Sequence, residues 1–424
     1  MRIAKSALID PDRNGLYGTV AVALSFFVFA YSSKFGQVSI LAYYAVWLPL
    51  LVVDYRRVLG NYARYLWIFA FGILAVLSSF WSDAMSVSLR ASIQYMTHIV
   101  CALIAMRVIS IRTLTRGALI GTTVVLLYSL LFGTYLFDAL DGTTSFVGAF
   151  SSKNQLGFYA SLGVLFAAAS VLVLRQRGLW LPIAGVAGLI SAYSLLASQS
   201  ATSAITTAAV VVMMAGLLPL WILSPGNRKM LFFAAVGLGG LFVVAALQFG
   251  LFDAILGAFG KDTTLTGRTY LWQQGIEVAQ RAPIFGVGYQ GFWVPGFSEA
   301  ERLWDDFFIS GRSGFHFHNT YIEVVVENGF VGLILLAILL YGTMLGHLRL
   351  ILMRNQDPQA LILFSLCALF VVRSFVEIDI IFPYQVGSFL LFYAAGKLCL
   401  PRRAPLATSS PFMAGIPVRP IAGG

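Results

Sequence analysis

The side chains equipped for chemistry collect in one stretch, the polar run Leu251–Phe317 together with the helix expected to begin at His318 and Asn319. It holds Arg268, Arg281, Arg302 and Arg312, the pair His316 and His318, many aromatics, and the closely spaced Gly286, Gly288 and Gly291. A loop this long between packed elements is either functional or disordered, and its aromatics and helical patterns argue for function. Arg268 falls in the first turn of a helical pattern that ends before Pro283. The positive end of the helix dipole disfavours a cation there. Lys153, beside Asn154, stands in the same kind of position at the start of an earlier helix. A bound anion would turn the conflict into a site, since helix N–H groups and the cation would face one charge. Lys153 equally fits a lysine reaching up to lipid headgroups.

Further along, Asn319, Glu323 and Glu327 recur every four residues and share one helix face. Carboxylates on a membrane helix are costly, so these should face a polar cavity or a partner. A histidine at a helix start is ordinarily structural; His318, beside an asparagine, buried acids and several arginines, reads as functional. Arg373 and Glu377 are also four apart and are followed by Asp379. They fit an ion pair between two helices, or a further anion contact at the same cavity. Glu377 and Asp379 could also bind a metal, but no histidine lies near them in sequence.

The scaffold that must position these groups is a membrane one. Of 424 residues, 59% are hydrophobic and only 11% charged, against roughly a quarter charged in a soluble protein. The apolar runs predict membrane-crossing helices at roughly Leu16–Tyr31, Gly36–Val53, Leu66–Phe80, Ala91–Ile109, Gly117–Phe137 and Asn154–Leu174. Others follow at roughly Leu179–Ala197, Ala201–Leu223, Met230–Gly250, Asn319–Leu340, Gln359–Val372 and Ile380–Leu398. The expected fold is all-α and polytopic, with about twelve transmembrane helices and short helices in a large outer loop, 251–318, before the tenth span. Residues 1–400 form a single integral membrane domain, and 401–424, rich in Pro, Ala, Ser and Gly, read as a disordered inner tail.

Basic residues set the orientation. With the N-terminus inside, 19 of the 28 lysines and arginines fall on inner segments. Both termini are therefore expected on the cytoplasmic side of the cytoplasmic membrane and the large loop outside. The first span, preceded by Arg2, Lys5 and Arg13, imitates a signal peptide, but retention as an anchor suits so hydrophobic a chain. The net charge of +10 follows from the same bias. No basic face with interleaved aromatics lies on the inner side, which speaks against nucleic-acid binding. Cys101, Cys367 and Cys399 fall in or at the end of spans and suggest neither a disulfide framework nor a metal cluster.

Smaller motifs punctuate this plan. Trp81-Ser82-Asp83 reads as an interfacial tryptophan with a helix cap, and Ser198–Ser203 as small residues packing helices. Pro283–Trp293 mixes turn glycines with aromatics that suit either sugar rings or the membrane interface; with no strand before it, a nucleotide-binding fold is excluded. Ser298-Glu299-Ala300-Glu301 has the form of a capping box, and Ser310–Gly314 that of a hinge.

His318-Asn319, followed after nine residues by Gly329-Phe330-Val331-Gly332, resembles the hallmark of the O-antigen ligase and polymerase superfamily. Gly267-Arg268 with Leu271-Trp272, then Pro283–Gly288, resemble the same family in the same order, as do Trp81-Ser82 and Lys153-Asn154 with Leu156-Gly157. The Lys153-Asn154 and Arg373…Glu377 patterns look most like exopolysaccharide polymerases of the ExoQ type. The resemblance implies a glycosyltransferase using a polyprenyl-diphosphate-linked oligosaccharide at the outer face of the membrane, with no metal and no cofactor. Its implied partners are that lipid-linked glycan, the bilayer, and flippase and chain-length or export proteins. The implied catalytic pair is His318, as base toward the acceptor hydroxyl, and Arg268 on the donor diphosphate. Lys153, Asn154, Arg312, Arg373, Asn319, Glu323 and Glu377 are the further candidate contacts to diphosphate or glycan. Family members often carry a cation in the turn after span seven, where this chain has Ala201; the second phosphate-binding cation is then Lys153, Arg312 or Arg373. A ligase acting on a lipid A core or protein would use the same site, and a transporter would place its polar groups at the midplane instead. A non-catalytic export scaffold is the remaining alternative.

Overall fold

A computed structural model of the chain describes residues 4–60, 62–138, 143–250, 267–312, 314–354 and 356–400. The expected tail 401–424, the first part of the large loop with Lys261, and Ser313 of the hinge lie outside the described residues. With no water in the hydrocarbon to satisfy peptide groups, an apolar chain must close its own hydrogen bonds, and helices do so within each segment.

The helices are α1 (Ser6–Ile9), α2 (Gly15–Trp47), α3 (Leu50–Leu59), α4 (Leu66–Leu77), α5 (Met85–Val108), α6 (Ile111–Phe132), α7 (Lys153–Ala168), α8 (Trp180–Ala197), α9 (Ala201–Leu217) and α10 (Pro225–Gln248). Two short helices of the loop follow, α11 (Arg268–Ala279) and α12 (Ser298–Asp306), then α13 (Thr320–Met353), α14 (Pro358–Ser374) and α15 (Val386–Cys399). Among the described residues nine helices are long and apolar enough to cross a membrane, and α14 and α15 are shorter apolar ones. The protein is an all-α polytopic membrane protein.

The long α2 contains two expected spans. Its backbone leaves helical geometry at Tyr31 and at Gly36, whose φ is +62°. Tyr17 Oη donates to Val46 O, and Trp47 Nε1 to Ser25 Oγ at 2.9 Å. A straight helix would set residues 17 and 46 about 43 Å apart, so the two halves fold back on each other. At the other extreme stands α10, whose only buried residue is Arg228. That guanidinium donates to the carbonyls of Leu220, Leu223, Ile351 and Arg354, anchoring the helix to the end of α13.

Three expectations need correction. The apolar run predicts the fifth span through Phe137, but α6 ends at Phe132 and Thr134–Asp138 (β1) pairs antiparallel with Thr143–Gly148 (β2); aromatic and β-branched residues suit a hairpin there. The twelfth was placed from Ile380, but α15 starts at Val386. The segment before it is irregular and tied down by Gln385, which accepts from Phe382 N and donates to Ile378 O. Such backbone is tolerated at depth only where protein surrounds it, and here it carries Glu377 and Asp379 inward. Finally, Ser298 does not cap α12: its hydroxyl donates to Glu299, while Glu301 accepts from Gly296 N.

The glycine motifs turn out to be joinery. Within α13 the backbone breaks at Gly329, with φ +64° and ψ −168°. An intact helix would bond Phe330 N to Val326 O and Val331 N to Glu327 O. Instead Phe330 N and Val331 N donate to Pro283 O and Ile284 O, while Val326 O and Glu327 O accept from Val287 N and Gly288 N. The loop replaces the lost helix bonds one for one. A Cβ on Gly329 would lie 2.2 Å from Ile284 O, and one on Gly286 2.4 Å from the Glu327 carbonyl carbon. Trp81 donates to Phe285 O and Ser78 accepts from Tyr289 N, so the Trp81-Ser82 region braces the same joint.

Gly329→Ala should therefore be strongly destabilising, since its backbone conformation alone costs about 1–3 kcal/mol for other residues. Gly342→Ala in the same helix, where an added Cβ meets open space, is the control. Thermal unfolding in detergent should show a drop for the first and none for the second; equal behaviour would show that the break carries no strain.

Candidate functional site

Five chain segments deliver polar groups to one end of the bundle. α7 opens with Lys153 and Asn154 behind its cap Ser152, whose hydroxyl accepts from Gln155 N. α9 opens behind Ser200, which accepts from Ser203 N. α11 opens at Arg268, its cap Gly267 in the left-handed region that favours glycine (φ +78°). α13 opens behind Asn319, whose side-chain oxygen accepts from Tyr321 N and Ile322 N while its amide donates to Phe375 O at 3.0 Å. The last is the irregular segment after α14.

Their meeting point is Glu377. Its Oε1 accepts from Arg268 Nη2 at 2.9 Å and from Asn154 Nδ2 at 2.7 Å. His318 Nδ1 lies 3.5 Å from Oε2, within ion-pair range but not aligned as a hydrogen bond. Arg268 Nη1 donates to Val376 O at 2.7 Å, and Thr320 Oγ1 to Glu377 O at 2.7 Å. Burial works against charge on Glu377, yet Arg268, His318 and Arg373 outweigh it and hold the carboxyl well below the usual carboxylate range. His318 has a φ of +52°, uncommon for a residue with a side chain. A strained backbone next to a charged cluster fits a functional position.

The other expected residues are distributed as follows. Arg373, 1% exposed, pairs with Asp379 at 2.6 Å, donates to Ser203 Oγ at 2.8 Å and lies over the Phe158 ring. The expected Arg373–Glu377 pair is thus replaced by two crossed ones, Arg373–Asp379 and Arg268–Glu377. Lys153 approaches Ser145 on β2, with Nζ to Oγ at 3.5 Å. Arg312 is exposed and paired with Glu301 of α12 at 2.6 Å, outside the Glu377 cluster. Glu323 is fully buried and accepts from Trp293 Nε1 and Phe317 N, both at 2.9 Å. It latches the loop onto α13 and does not join the cluster. Glu327, one turn on, is buried at the Gly329 joint. His316 packs against His318 with ring centroids 4.2 Å apart and the planes inclined at 58°, and its Nδ1 accepts from His318 N; burial, with His318 adding to it, pushes its pKa down.

Two site residues were missed in the sequence. Ser200 Oγ donates to Asn154 Oδ1 at 2.9 Å, and Ser203 receives Arg373. Their signal was the helix cap before Ala201, read there as packing. Among the described residues, no group of three or more His, Cys, Asp or Glu is placed to hold a metal ion.

The depressed Glu377 makes a pH prediction. Its folded pKa lies below the ordinary 4.5, so its stabilisation is complete above that value and is lost as the pH falls through the folded one. Glu377→Gln should lower the unfolding temperature at pH 7, and the gap to wild type should narrow as the pH falls below 4.5. A gap independent of pH would mean that the cluster does not use the carboxylate charge.

The comparisons with known proteins give the family. A model of the O-antigen ligase family matches residues 186–337, the stretch from within α8 to within α13 that includes Arg268 and His318. The chain is 62% identical over 408 residues to "Exopolysaccharide production protein ExoQ" of Rhizobium meliloti (strain 1021), covering 96% of this chain and 94% of that protein. Likeness of that degree over nearly the whole length shows that this chain belongs to the O-antigen ligase and polymerase superfamily and is of the ExoQ type.

Proposed function

We propose that the protein is a metal-independent glycosyltransferase that polymerises polyprenyl-diphosphate-linked oligosaccharide repeat units into exopolysaccharide or O-antigen at the outer face of the cytoplasmic membrane. The observation that carries this reading is the convergence of Arg268, Asn154 and His318 on Glu377 at one end of the bundle. The positive-inside bias supports an outward position for that end, where nucleoside triphosphates are absent and a lipid-linked donor is the available activated sugar. The relative's printed name, an exopolysaccharide production protein, supports the same reading.

The mechanism follows from charge. The acceptor hydroxyl oxygen forms a bond to the anomeric carbon of the donor while the bond from that carbon to the diphosphate oxygen breaks. The electron pair leaves with the diphosphate, where fixed cations stabilise the growing charge. Arg268 serves this because its planar fork matches phosphate oxygens; among the described residues only two of its N–H groups are engaged, by Val376 and Glu377. Lys153, at the start of α7 beside the Asn154 that reaches Glu377, is the second cation. The hydroxyl proton passes to His318 Nε2, while Glu377, 3.5 Å from Nδ1, stabilises the imidazolium that results. His316, kept neutral, packs behind it.

A second reading, transfer of the glycan to a different acceptor, has the family model's ligase description in its favour. A strain lacking the gene separates the two: single repeat units left on the carrier mean a polymerase, long polymer left on the carrier means a ligase.

With purified protein and a lipid-linked repeat unit, His318→Ala should lower turnover by about 10²–10⁴-fold with donor binding nearly unchanged, and His316→Ala should be far milder. Arg268→Lys, which keeps the charge but loses the fork, should weaken donor binding and remove most activity. Equal small losses in both histidine variants would reduce His318 to a structural role, and full activity in the lysine variant would leave Arg268 a generic charge.

A further inference from the structure

Two ion pairs hold this end of the bundle, Arg268 with Glu377 and Arg373 with Asp379. A chain of hydrogen bonds joins one to the other. Arg373 Nη1 donates to Ser203 Oγ at 2.8 Å, and Ser203 Oγ lies 3.0 Å from Ser200 Oγ. Ser200 Oγ in turn reaches Asn154 Oδ1 at 2.9 Å, and Asn154 Nδ2 donates to Glu377 Oε1 at 2.7 Å. The links come from the end of α14, the start of α9 and the start of α7. Glycine makes the meeting possible. Gly157 stands three residues after Asn154 on the same face of α7, and a Cβ there would lie 2.5 Å from Ser203 Oγ and 3.0 Å from Ser200 Cβ. The spacing of Asn154 and Gly157 thus sets an amide and a gap against the same two serines.

The ends of the chain fix its sense, since a guanidinium only donates and an ionised carboxylate only accepts. Ser200 is the pivot. Its hydroxyl has one proton and two acceptors within reach, Asn154 Oδ1 and Ser203 Oγ. Ser203 Oγ already accepts from a cation, which makes it the poorer acceptor of the two, so the proton goes to Asn154. An amide that accepts at its oxygen donates more strongly from its nitrogen, and that nitrogen is the one on Glu377. With Arg373 withdrawn from Ser203, the two oxygens would compete for the Ser200 proton, and the hold of Asn154 on the carboxylate would weaken.

We propose that Arg373, Ser203 and Ser200 are positioning residues, which act through Asn154 on the placement of Glu377, and so of Arg268 and His318, without touching substrate. The effect on turnover rests on the polymerase reading, and the test keeps the two apart. Unfolding temperature is measured in detergent with no substrate, for Asn154→Ala and Arg373→Lys singly and together. Lysine keeps the charge at 373, so its through-space effect on Glu377 remains and the lost hydrogen bonds are what is read. The double variant should lose clearly less than the sum of the two single losses, whereas sites with no shared partner add. In a Ser200→Gly background the same two changes should become additive; glycine serves nearly as well as serine at a helix cap. Ser203→Ala spares the cap, cuts the chain at the next link, and should have the same result. Additive losses with both serines in place would overturn the proposal, and so would non-additive losses that survive both cuts. With a lipid-linked repeat unit, Ser203→Ala should lower turnover several-fold and change the KM for the donor less than twofold; turnover equal to wild type would also overturn it. A wild-type protein that turns over no lipid-linked repeat unit would instead sink the polymerase reading, leaving the chain to be decided by the unfolding measurements.

Discussion

A carboxylate sealed away from water is the constraint to which this end of the bundle answers. An ionised Glu377 with only 5% of its surface exposed is costly unless cations and hydrogen-bond donors surround it. Arg268, Asn154 and His318 meet that need, and each comes from a different part of the chain. The same residue therefore collects the donors that the proposed reaction uses and fixes their separation. Its negative charge also balances Arg268, and its two contacts to Arg268 and Asn154 keep the arginine fork ordered. Beneath it, the second pair, Arg373 with Asp379, does the corresponding work between α9 and the irregular segment.

The Gly329 joint solves a different problem, that of attaching a polar loop to a membrane helix. An intact α13 would offer no free backbone groups to the loop. By breaking at Gly329 it exposes two carbonyls and two N–H groups, and Pro283–Gly288 fills all four. Glu323 closes a second latch one turn earlier in the packing, taking Trp293 and Phe317. Phe292, Trp293, Phe317, Leu271 and Trp304 then build a small core of the loop's own. His318 sits between Phe317 and Glu323, the two ends of that latch, so its position is set from both sides.

Much of the architecture was readable in the residues because the bilayer imposes a simple rule: an apolar run of sufficient length must be helical. The approximate positions of α4, α5 and α7 through α10 follow from that rule alone. Where it gives out, so did the reading. Residues after Phe132 form a hairpin, and the apolar Ile380–Phe382 are irregular, since an apolar stretch lodged inside protein can satisfy its backbone in other ways. In the site, Arg268, Asn154, His318 and Glu377 were identifiable by type and by their place at helix ends, but their partners were not. Arg373 and Glu377, one helical turn apart, invited a pairing that the end of α14 forbids, because Glu377 lies past the last helical turn. The glycine runs were legible as motifs, yet their purpose, a helix splice, depends on segments about forty residues apart. Ser200 and Ser203 carry the same short side chains whether they pack helices or hold a charged network, so only the fold distinguishes the two.

The reach of the contacts to Glu377 has a consequence for biosynthesis. Asn154 precedes it by 223 residues and Arg268 by 109, and a chain emerges from its N-terminus onward. Asn154, Arg268 and His318 are therefore all inserted while the carboxylate that gathers them has yet to be made. Until α14 is in place and the following segment has turned inward, the cations stay apart in water or at the lipid surface. Competence thus comes as one of the last events in the assembly of the bundle. A partly inserted chain therefore holds no ordered cluster, and chains interrupted before this point lack the proposed site altogether.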